Sequence, residues 1–434
     1  MRVAVVTFGC KLNQYDSARV EGRLAASGVR LAPPEEADLV LVNTCTVTHR
    51  ADRDARHAIH ALRRSNPRAR VAVLGCGTRR PDGPYGSFPG VEAVLSTEGE
   101  LEAFLRGLSL ERGGEAVLPL FPRRTRALLK VQEGCSFACT YCIVPRVRGP
   151  SRSVPPDRVE AELRGLIAAG HREVVLTGVN TGEYGKDLGI GGGLAALLDR
   201  LFTVEGDFRL RLNSVEPRAV TSALVERLRR EERLCRHLQI PLQSGSDAVL
   251  RAMKRNYRAA FYRGLVERLA GEVPGIGLGA DVLVGFPTES SADFEATLRL
   301  VEESPLAFVH AFSYSPRPGT PAAALPGLPA EEVAARVRVL RELAREKTRR
   351  FAASFRGVPL RALTLEPREG KGRALTDNFL DLTLEEPWEA NRWVAATVRE
   401  VSRRALRADA AALEDPQPPP GPGASTSTAS HPSA

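Results

Sequence analysis

Short apolar runs recur along this chain, each followed by a stretch with helical spacing, and this alternation limits the fold more than any other feature. Three such runs open the sequence: "RVAVVTF", "ADLVLVN" and "ARVAVLG". Between them lie "YDSARVEGRLAAS" and "DRDARHAIHALRRS", which carry apolar residues at helical intervals. Apolar runs separated by amphipathic helices indicate a parallel sheet covered by helices, here an N-terminal parallel α/β sandwich. From Ala127 the alternation begins again, with "ALLKVQEG", "REVVLTG", "FRLRLNS", "RHLQIPL", "IGLGADVLVGF" and "AFVHAFSYS" as candidate strands. Pro156 with Asp157, and Ser290 with Asp293, are start signals for two of the intervening helices. An eight-fold barrel needs about 250 residues, so this shorter series predicts a central partial (β/α)6 barrel.

A long charged helix, "PAEEVAARVRVLRELAREKTRRFAASF", leads into "VPLRALTLE", "GRALTDNFLDLTLE" and "RWVAATVREV". These segments predict a small C-terminal antiparallel β-barrel. The α/β chain therefore divides into residues 1–118, 122–355 and 356–414, with a Pro-, Arg- and Gly-containing stretch separating the first two. Residues 415–434 contain no large apolar side chain and are expected to be disordered.

With 434 residues the chain is long enough for two or three domains. Its net charge of +9, supplied mostly by arginine, suits a phosphate backbone. A chain that uses arginine for any solvated cation would give the same balance. The basic runs "TSALVERLRREERLCRH" and "FPRRTR" carry both readings. Phe379, Trp388 and Trp393 lie among Arg361, Arg373 and Arg392, a mixture that suits looped RNA. A small barrel needs aromatic core as well, so at least one tryptophan is expected to be buried. No run of eighteen apolar residues occurs, and the N-terminus reads as a strand rather than a signal peptide. No membrane association and a cytoplasmic location are expected.

Seven cysteines in such a chain point to metal binding or catalysis rather than disulfides. Cys10, Cys45 and Cys76 each fall just past one of the first three apolar runs. Parallel sheets gather ligands outside the carboxyl ends of their strands, so these three thiols converge on one rim. The alternative is three small buried apolar residues. The segment "EGCSFACTYCIVPRVRG" packs Cys135, Cys139 and Cys142 into one loop after the first barrel strand. Three thiolates on an iron–sulfur cubane leave one iron open to a substrate or cofactor. Zinc with three protein ligands and a water is the other reading, and the closest downstream histidine is His171. Cys235 reads as a core residue.

The C-x-x-x-C-x-x-C spacing, with Tyr141 before the last cysteine, resembles the radical S-adenosylmethionine superfamily. The resemblance implies a [4Fe–4S] cluster on Cys135, Cys139 and Cys142, the catalytic set. Its open iron would chelate S-adenosylmethionine, and reduction would yield a 5′-deoxyadenosyl radical. Within that superfamily the chain resembles the methylthiotransferases, which implies a second [4Fe–4S] cluster on Cys10, Cys45 and Cys76 and a C-terminal TRAM domain that binds RNA. "TFGCKLNQYDS", "NTCTVT", "LTGVNTGEYGKDLG", "HLQIPLQSGSDAVLRAMKRNY", "DVLVGFPTE" and "FSYSPRPGTPA" are similar to the MtaB-like subgroup. That subgroup acts on N6-threonylcarbamoyladenosine at position 37 of tRNA, using two S-adenosylmethionine. The isopentenyladenosine branch usually has Gln-Met where this chain has Lys11 and Leu12.

By the same resemblance Tyr141, Gly178, Ser214, Glu216, Gln243 and Ser244 surround S-adenosylmethionine. Gln239 and Asn213 depart from the family's usual histidine and serine. The implied partners are the tRNA anticodon loop and a reducing electron donor protein, with the enzyme acting as a monomer. The alternatives are a methylthiotransferase for isopentenyladenosine tRNA or for a ribosomal protein and, in a different class, a non-catalytic iron–sulfur RNA-binding protein.

Overall fold

The computed structural model describes residues 1–80, 82–108, 118–121, 124–403 and 405–413. The first alternation folds into β1 (Arg2–Thr7), α1 (Lys11–Ala26), β2 (Arg30–Leu31), β3 (Leu39–Thr44), α2 (His49–Ser65), β4 (Arg70–Gly75), β5 (Ala93–Leu95) and α3 (Glu98–Gly107). The strands form one parallel sheet in the order β2-β1-β3-β4-β5. β3 is buried along its whole length because helices cover both faces. Val20 and Leu24 of α1 share one core with Leu101 and Leu105 of α3, while Ile59 and Leu62 of α2 anchor the other.

The second alternation gives β6 (Arg126–Lys130), β7 (Gln132–Glu133), α4 (Val144–Arg148), β8 (Arg152–Ser153), α5 (Pro156–Ala168), β9 (Glu173–Thr177), α6 (Gly193–Leu201), β10 (Arg209–Leu212), α7 (Ser222–Arg230), β11 (His237–Gln239), α8 (Asp247–Ala252), α9 (Ala259–Glu272), β12 (Gly277–Val284), α10 (Ser291–Glu303) and β13 (Phe308–Ser313). Two three-stranded parallel sheets, β10-β9-β6 and β11-β12-β13, meet through the parallel bridges Leu210–Leu234 and Ser214–Gln239. The result is the expected six-stranded partial barrel. Pro156 starts α5, and Ser290 with Asp293 forms a reciprocal capping box on α10. The antiparallel β7–β8 ribbon, which straddles the cysteine loop, was not legible in the alternation.

After α11 (Ala330–Ala353) come β14 (Pro359–Arg368), β15 (Lys371–Thr376), β16 (Asp381–Leu384), β17 (Trp393–Val401) and β18 (Leu406–Ala412), closed into a barrel in the order β14-β15-β16-β18-β17. The barrel is not wholly antiparallel, because β16 and β18 pair parallel. The reason is parity: strand direction cannot alternate all the way round a ring of five. The tail 415–434 lies outside the described residues. Among those described, no helix is long and apolar enough to cross a membrane.

Two helices tie the three cores together. α1 turns Val20 and Leu24 to its own sheet and Tyr15 and Ala18 to the central barrel. α11 gives Val337, Leu340 and Ala344 to the central core and Ala352 to the C-terminal one. The C-terminal barrel docks on the amino-terminal ends of the central strands, opposite the cysteine loop. There the buried Glu173 pairs with Arg209 at 2.6 Å and Arg211 at 2.8 Å. These arginines in turn donate to the carbonyls of Leu375 and Thr376 at 2.7 and 2.9 Å. His237 stacks on Phe379 with 4.2 Å between centroids. Gly277 is required here, since a Cβ would collide with the Asn378 carbonyl.

Candidate functional site

The N-terminal thiols converge as the strand ends require. Cys10 is exposed at the start of α1, while Cys45 and Cys76, after β3 and β4, are buried. Two glycines make the convergence possible. Gly9 and Gly75 both have positive φ, and a Cβ on either would strike Cys45 or the Asn43–Thr44 segment. Asn13 is the hub: its amide donates to the carbonyls of Phe8 and Thr44 at 3.0 and 2.8 Å. Its Oδ1 faces the thiols of Cys10 and Cys76 at 3.7 and 3.8 Å. Burial pushes the Cys45 thiol up to about 12, and the nearby Cys10 and Cys76 add to the shift.

The central thiols sit on a loop pinned at both ends. Cys135 N–H donates to the Gly149 carbonyl at 3.1 Å, and Thr140 N–H to Met253 at 3.2 Å. Gly134 has φ +71°, and a Cβ there would collide with the Pro150 carbonyl. Phe137 N–H points at Cys135 Sγ at 3.4 Å. Burial pushes Cys142 up to about 12, with Cys139 and Cys135 contributing. Each triad is therefore a group of mutually interacting thiols. Cys235 is buried beside Arg211 and belongs to neither.

Each triad also has a buried arginine that sequence reasoning missed. Arg148, at the end of α4, donates from Nε to Cys76 Sγ at 3.0 Å and from Nη2 to Asn13 Oδ1 at 2.8 Å. Asp16 and Glu133 hold its guanidinium, both at 3.0 Å. Arg255 donates to Cys139 Sγ at 3.3 Å and pairs with Glu216. Cys76 packs against Ile143 and Val147, so the first triad abuts the loop that carries the second. The only foreshadowing was "RVRG", which begins at Arg146, four residues after the third cysteine.

The residues expected around S-adenosylmethionine divide into two groups. Tyr141 packs on Val249, Met253 and Phe286 beside the central triad, and burial pushes its hydroxyl well above its usual range. Burial raises the carboxyl of Glu216 against the opposing pull of Arg255. Gly178 has no room for a Cβ beside Gln132 and Thr181. Ser214 offers its carbonyl to Thr181, and Gln243, at φ +64°, bonds through its backbone to Asp281 and Leu283. Ser244 points elsewhere: it is fully buried, with its hydroxyl against Thr297 and the Ser246 N–H. Asn180, not singled out in the sequence, is 3 % exposed, and apart from an interaction with the Cys135 thiol its amide has no hydrogen-bond partner. It stands beside Cys135.

These features fit the implied groups. A buried amide whose one polar neighbour is a thiol keeps hydrogen-bonding capacity for a polar ligand. Among the described residues no three Cys, His, Asp or Glu side chains form a site for a single metal ion.

Lys11, next to Cys10, reaches out of the N-terminal sheet into the central barrel and donates to Asn213 Oδ1 at 2.7 Å. Burial, with the positive charges of Arg126 and Arg211 adding to it, brings it down to about 8. Near it Gln239 donates to Asp281 at 2.8 Å. Of the C-terminal aromatics, one tryptophan is buried as expected, while Phe379 serves docking rather than an RNA-facing surface. Phe379 lies in the docking interface, and Trp393 is buried, with Nε1 donating to Asp207 at 2.5 Å. Trp388 packs against the small barrel's core.

Residues 2–92 match the uncharacterized protein family UPF0004, and residues 129–301 match the radical SAM superfamily. The threonylcarbamoyladenosine tRNA methylthiotransferase MtaB of Aquifex aeolicus is 34% identical, over 92% of this chain and 100% of its own. The Bacillus subtilis protein of that name is also 34% identical, over 88% and 90%. The tRNA-2-methylthio-N(6)-dimethylallyladenosine synthase of Parafrankia sp. reaches 38%, but over 74% of this chain and 69% of its own. The radical S-adenosylmethionine methyltransferase TsrM from Kitasatospora setae shares the fold at 16% identity, with a TM-score of 0.55 over 74% of this chain and 77% of that one. With matches running nearly end to end and both triads in place, the chain belongs to the MtaB-like family of radical S-adenosylmethionine methylthiotransferases.

Proposed function

We propose that this protein is a tRNA methylthiotransferase that places a methylthio group on C2 of N6-threonylcarbamoyladenosine at position 37, in the anticodon loop. The observation that carries the reading is the bond from Arg148 to Cys76, which joins two three-thiol sites across two separate cores. One three-thiol site would serve radical initiation alone; adding sulfur as well calls for a second. The relatives that match along nearly their whole length bear the threonylcarbamoyladenosine name, which favours that substrate over the dimethylallyl one.

Cys135, Cys139 and Cys142 would hold the catalytic [4Fe–4S] cluster, and Cys10, Cys45 and Cys76 the second. When bound, these groups and S-adenosylmethionine supply the hydrogen abstraction and the methylated sulfur, chemistry beyond side-chain acids and bases. The protein positions and shields them. Asn180 offers its buried amide beside Cys135. Arg255 places positive charge between Cys139 and Glu216. Val249, Met253 and Phe286 back Tyr141 and keep water from that side. Tyr141, Gly178, Ser214, Glu216 and Gln243 would line the cofactor, with Ser244 shaping the turn behind them.

For tRNA, a groove of about 860 Å³ between α11 and the small barrel carries Arg341, Arg345, Arg349, Arg368, Lys371, Arg373, Arg403 and Arg407 against Glu369 and Asp381. Such an excess of cations suits phosphates. RNA binding by this TRAM-like unit therefore rests on charge rather than on stacking. The protein works in the cytoplasm as a monomer with a reducing electron donor protein.

The test is mass spectrometry of tRNA nucleosides from a strain lacking the gene. The 2-methylthio form of threonylcarbamoyladenosine should disappear and its precursor remain. Loss of the isopentenyl series instead would reassign the substrate, and no change in either would favour a binding protein.

A further inference from the structure

Lys11 is placed as a ligand-binding cation rather than as a structural one. It leaves the N-terminal sheet at the first residue of α1 and ends inside a different core, on the side chain of Asn213 just past β10. Among the described residues no carboxylate lies within ion-pair distance of its ammonium. Asp281 is the nearest acidic influence, and it is already engaged by Gln239 at 2.8 Å and His310 at 3.3 Å. The positive charges of Arg126 and Arg211 reach Lys11 only at longer range, and Glu173 pairs with both. Lys11 is thus a partly enclosed cation with one neutral hydrogen-bond partner.

Asp281, whose charge Lys11 feels, meets His310 of β13 at 3.3 Å, and that strand opens to solvent. His310 and Phe312 lie on the same face of β13, two residues apart, and both are exposed although they sit on a barrel strand; Phe312 is 47 % exposed. An apolar ring left open on a strand of this barrel is a stacking surface for a base. A cation, an amide and an aromatic face together match a modified nucleobase that bears an anionic substituent.

We propose that Lys11 selects the substrate by pairing its ammonium with the free carboxylate of the threonylcarbamoyl group, with Asn213 holding the ammonium in place. The inference rests on the substrate reading above and deepens it. The dimethylallyl substituent has no charge to offer. A buried charge-assisted bond of this kind separates the two by about 10- to 100-fold in affinity.

The test uses the full-length, anaerobically reconstituted protein and two anticodon stem-loops, one with threonylcarbamoyladenosine and one with its carboxylate converted to the carboxamide. Wild type should bind the carboxylate form about 10- to 100-fold more tightly. Lys11→Met should bind the two alike, with the loss confined to the carboxylate RNA, and Lys11→Arg should restore part of the preference. Equal binding of both RNAs by wild type overturns the inference, whatever becomes of the variants. So does a Lys11→Met defect equal for both RNAs and accompanied by a higher KM for S-adenosylmethionine, which would assign Lys11 to that cofactor's own carboxylate. If wild type methylthiolates the carboxylate RNA without preferring to bind it, only the role of Lys11 falls. If it methylthiolates neither RNA, the substrate reading falls as well.

Discussion

Arg148 and Cys76 are 72 residues apart in sequence and 3.0 Å apart in the folded protein, guanidinium to sulfur. This bond makes the two cysteine sites one assembly. Asp16, Glu133 and Asn13 fix the arginine from three further positions. A thiolate at Cys76 would meet a positive charge that is already desolvated and oriented, with no reorganisation needed.

Replacing Arg148 with Ala should therefore do two things. It removes a guanidinium that is 4% exposed and leaves Asp16 and Glu133 to share Lys130, at a cost of about 3 kcal/mol. It should also lower iron retention at the N-terminal triad more than at the central one. Urea denaturation and iron content per chain check both effects. Arg148→Lys should recover part of the stability but less of the iron, because a single ammonium cannot serve four partners at once.

The two triads should be separable. Replacing Cys135, Cys139 and Cys142 with Ala should remove about half the iron and abolish 5′-deoxyadenosine formation. The corresponding change at Cys10, Cys45 and Cys76 should remove a similar share, yet leave 5′-deoxyadenosine measurable while methylthiolation is lost. Full iron retention in the second variant would reduce those cysteines to core residues.

Docking of the C-terminal barrel should depend on Glu173. Burial alone would raise its carboxyl, but Arg211 and Arg209 more than offset this and hold it well below the usual carboxylate range. A depressed folded pKa contributes stability that is present above the unfolded value of about 4.3 and lost as pH falls through the folded one. Glu173→Gln should destabilise the protein by about 3–5 kcal/mol at neutral pH and flatten the acid limb of a stability–pH curve. Thermal melts of both proteins between neutral and strongly acid pH make the comparison.

Affinity for tRNA should fall steeply with salt, and the groove beside α11 should account for part of the slope. Replacing Arg345 and Lys371 with Glu should lower the log–log salt slope by about 0.9 for each phosphate that is no longer neutralised. Filter binding across a salt series, with melting temperature as the folding control, gives the answer. An unchanged slope would move the RNA to another surface.

The sequence by itself determined what depends on local pattern. Periodicity decided the parallel sheet, the partial barrel and the small barrel, because burial of apolar faces leaves few arrangements for such alternation. Cys135, Cys139 and Cys142 were legible because their geometry is set within one loop. Cys10, Cys45 and Cys76 could be grouped because strand ends of one sheet share a rim. Tertiary structure decided everything that depends on distant side chains meeting. Arg148 and Arg255 looked like any surface arginine until packing buried them against sulfur. Phe379, Trp388 and Trp393 read equally as RNA contacts or barrel core, and docking on the central barrel engaged Phe379 and buried Trp393, because docking two domains needs apolar area. Lys11 and Asn213 are 202 residues apart, and only the packing of α1 against a second core brings them to 2.7 Å. Spacing along a chain carries no information about such a pair; the fold creates it.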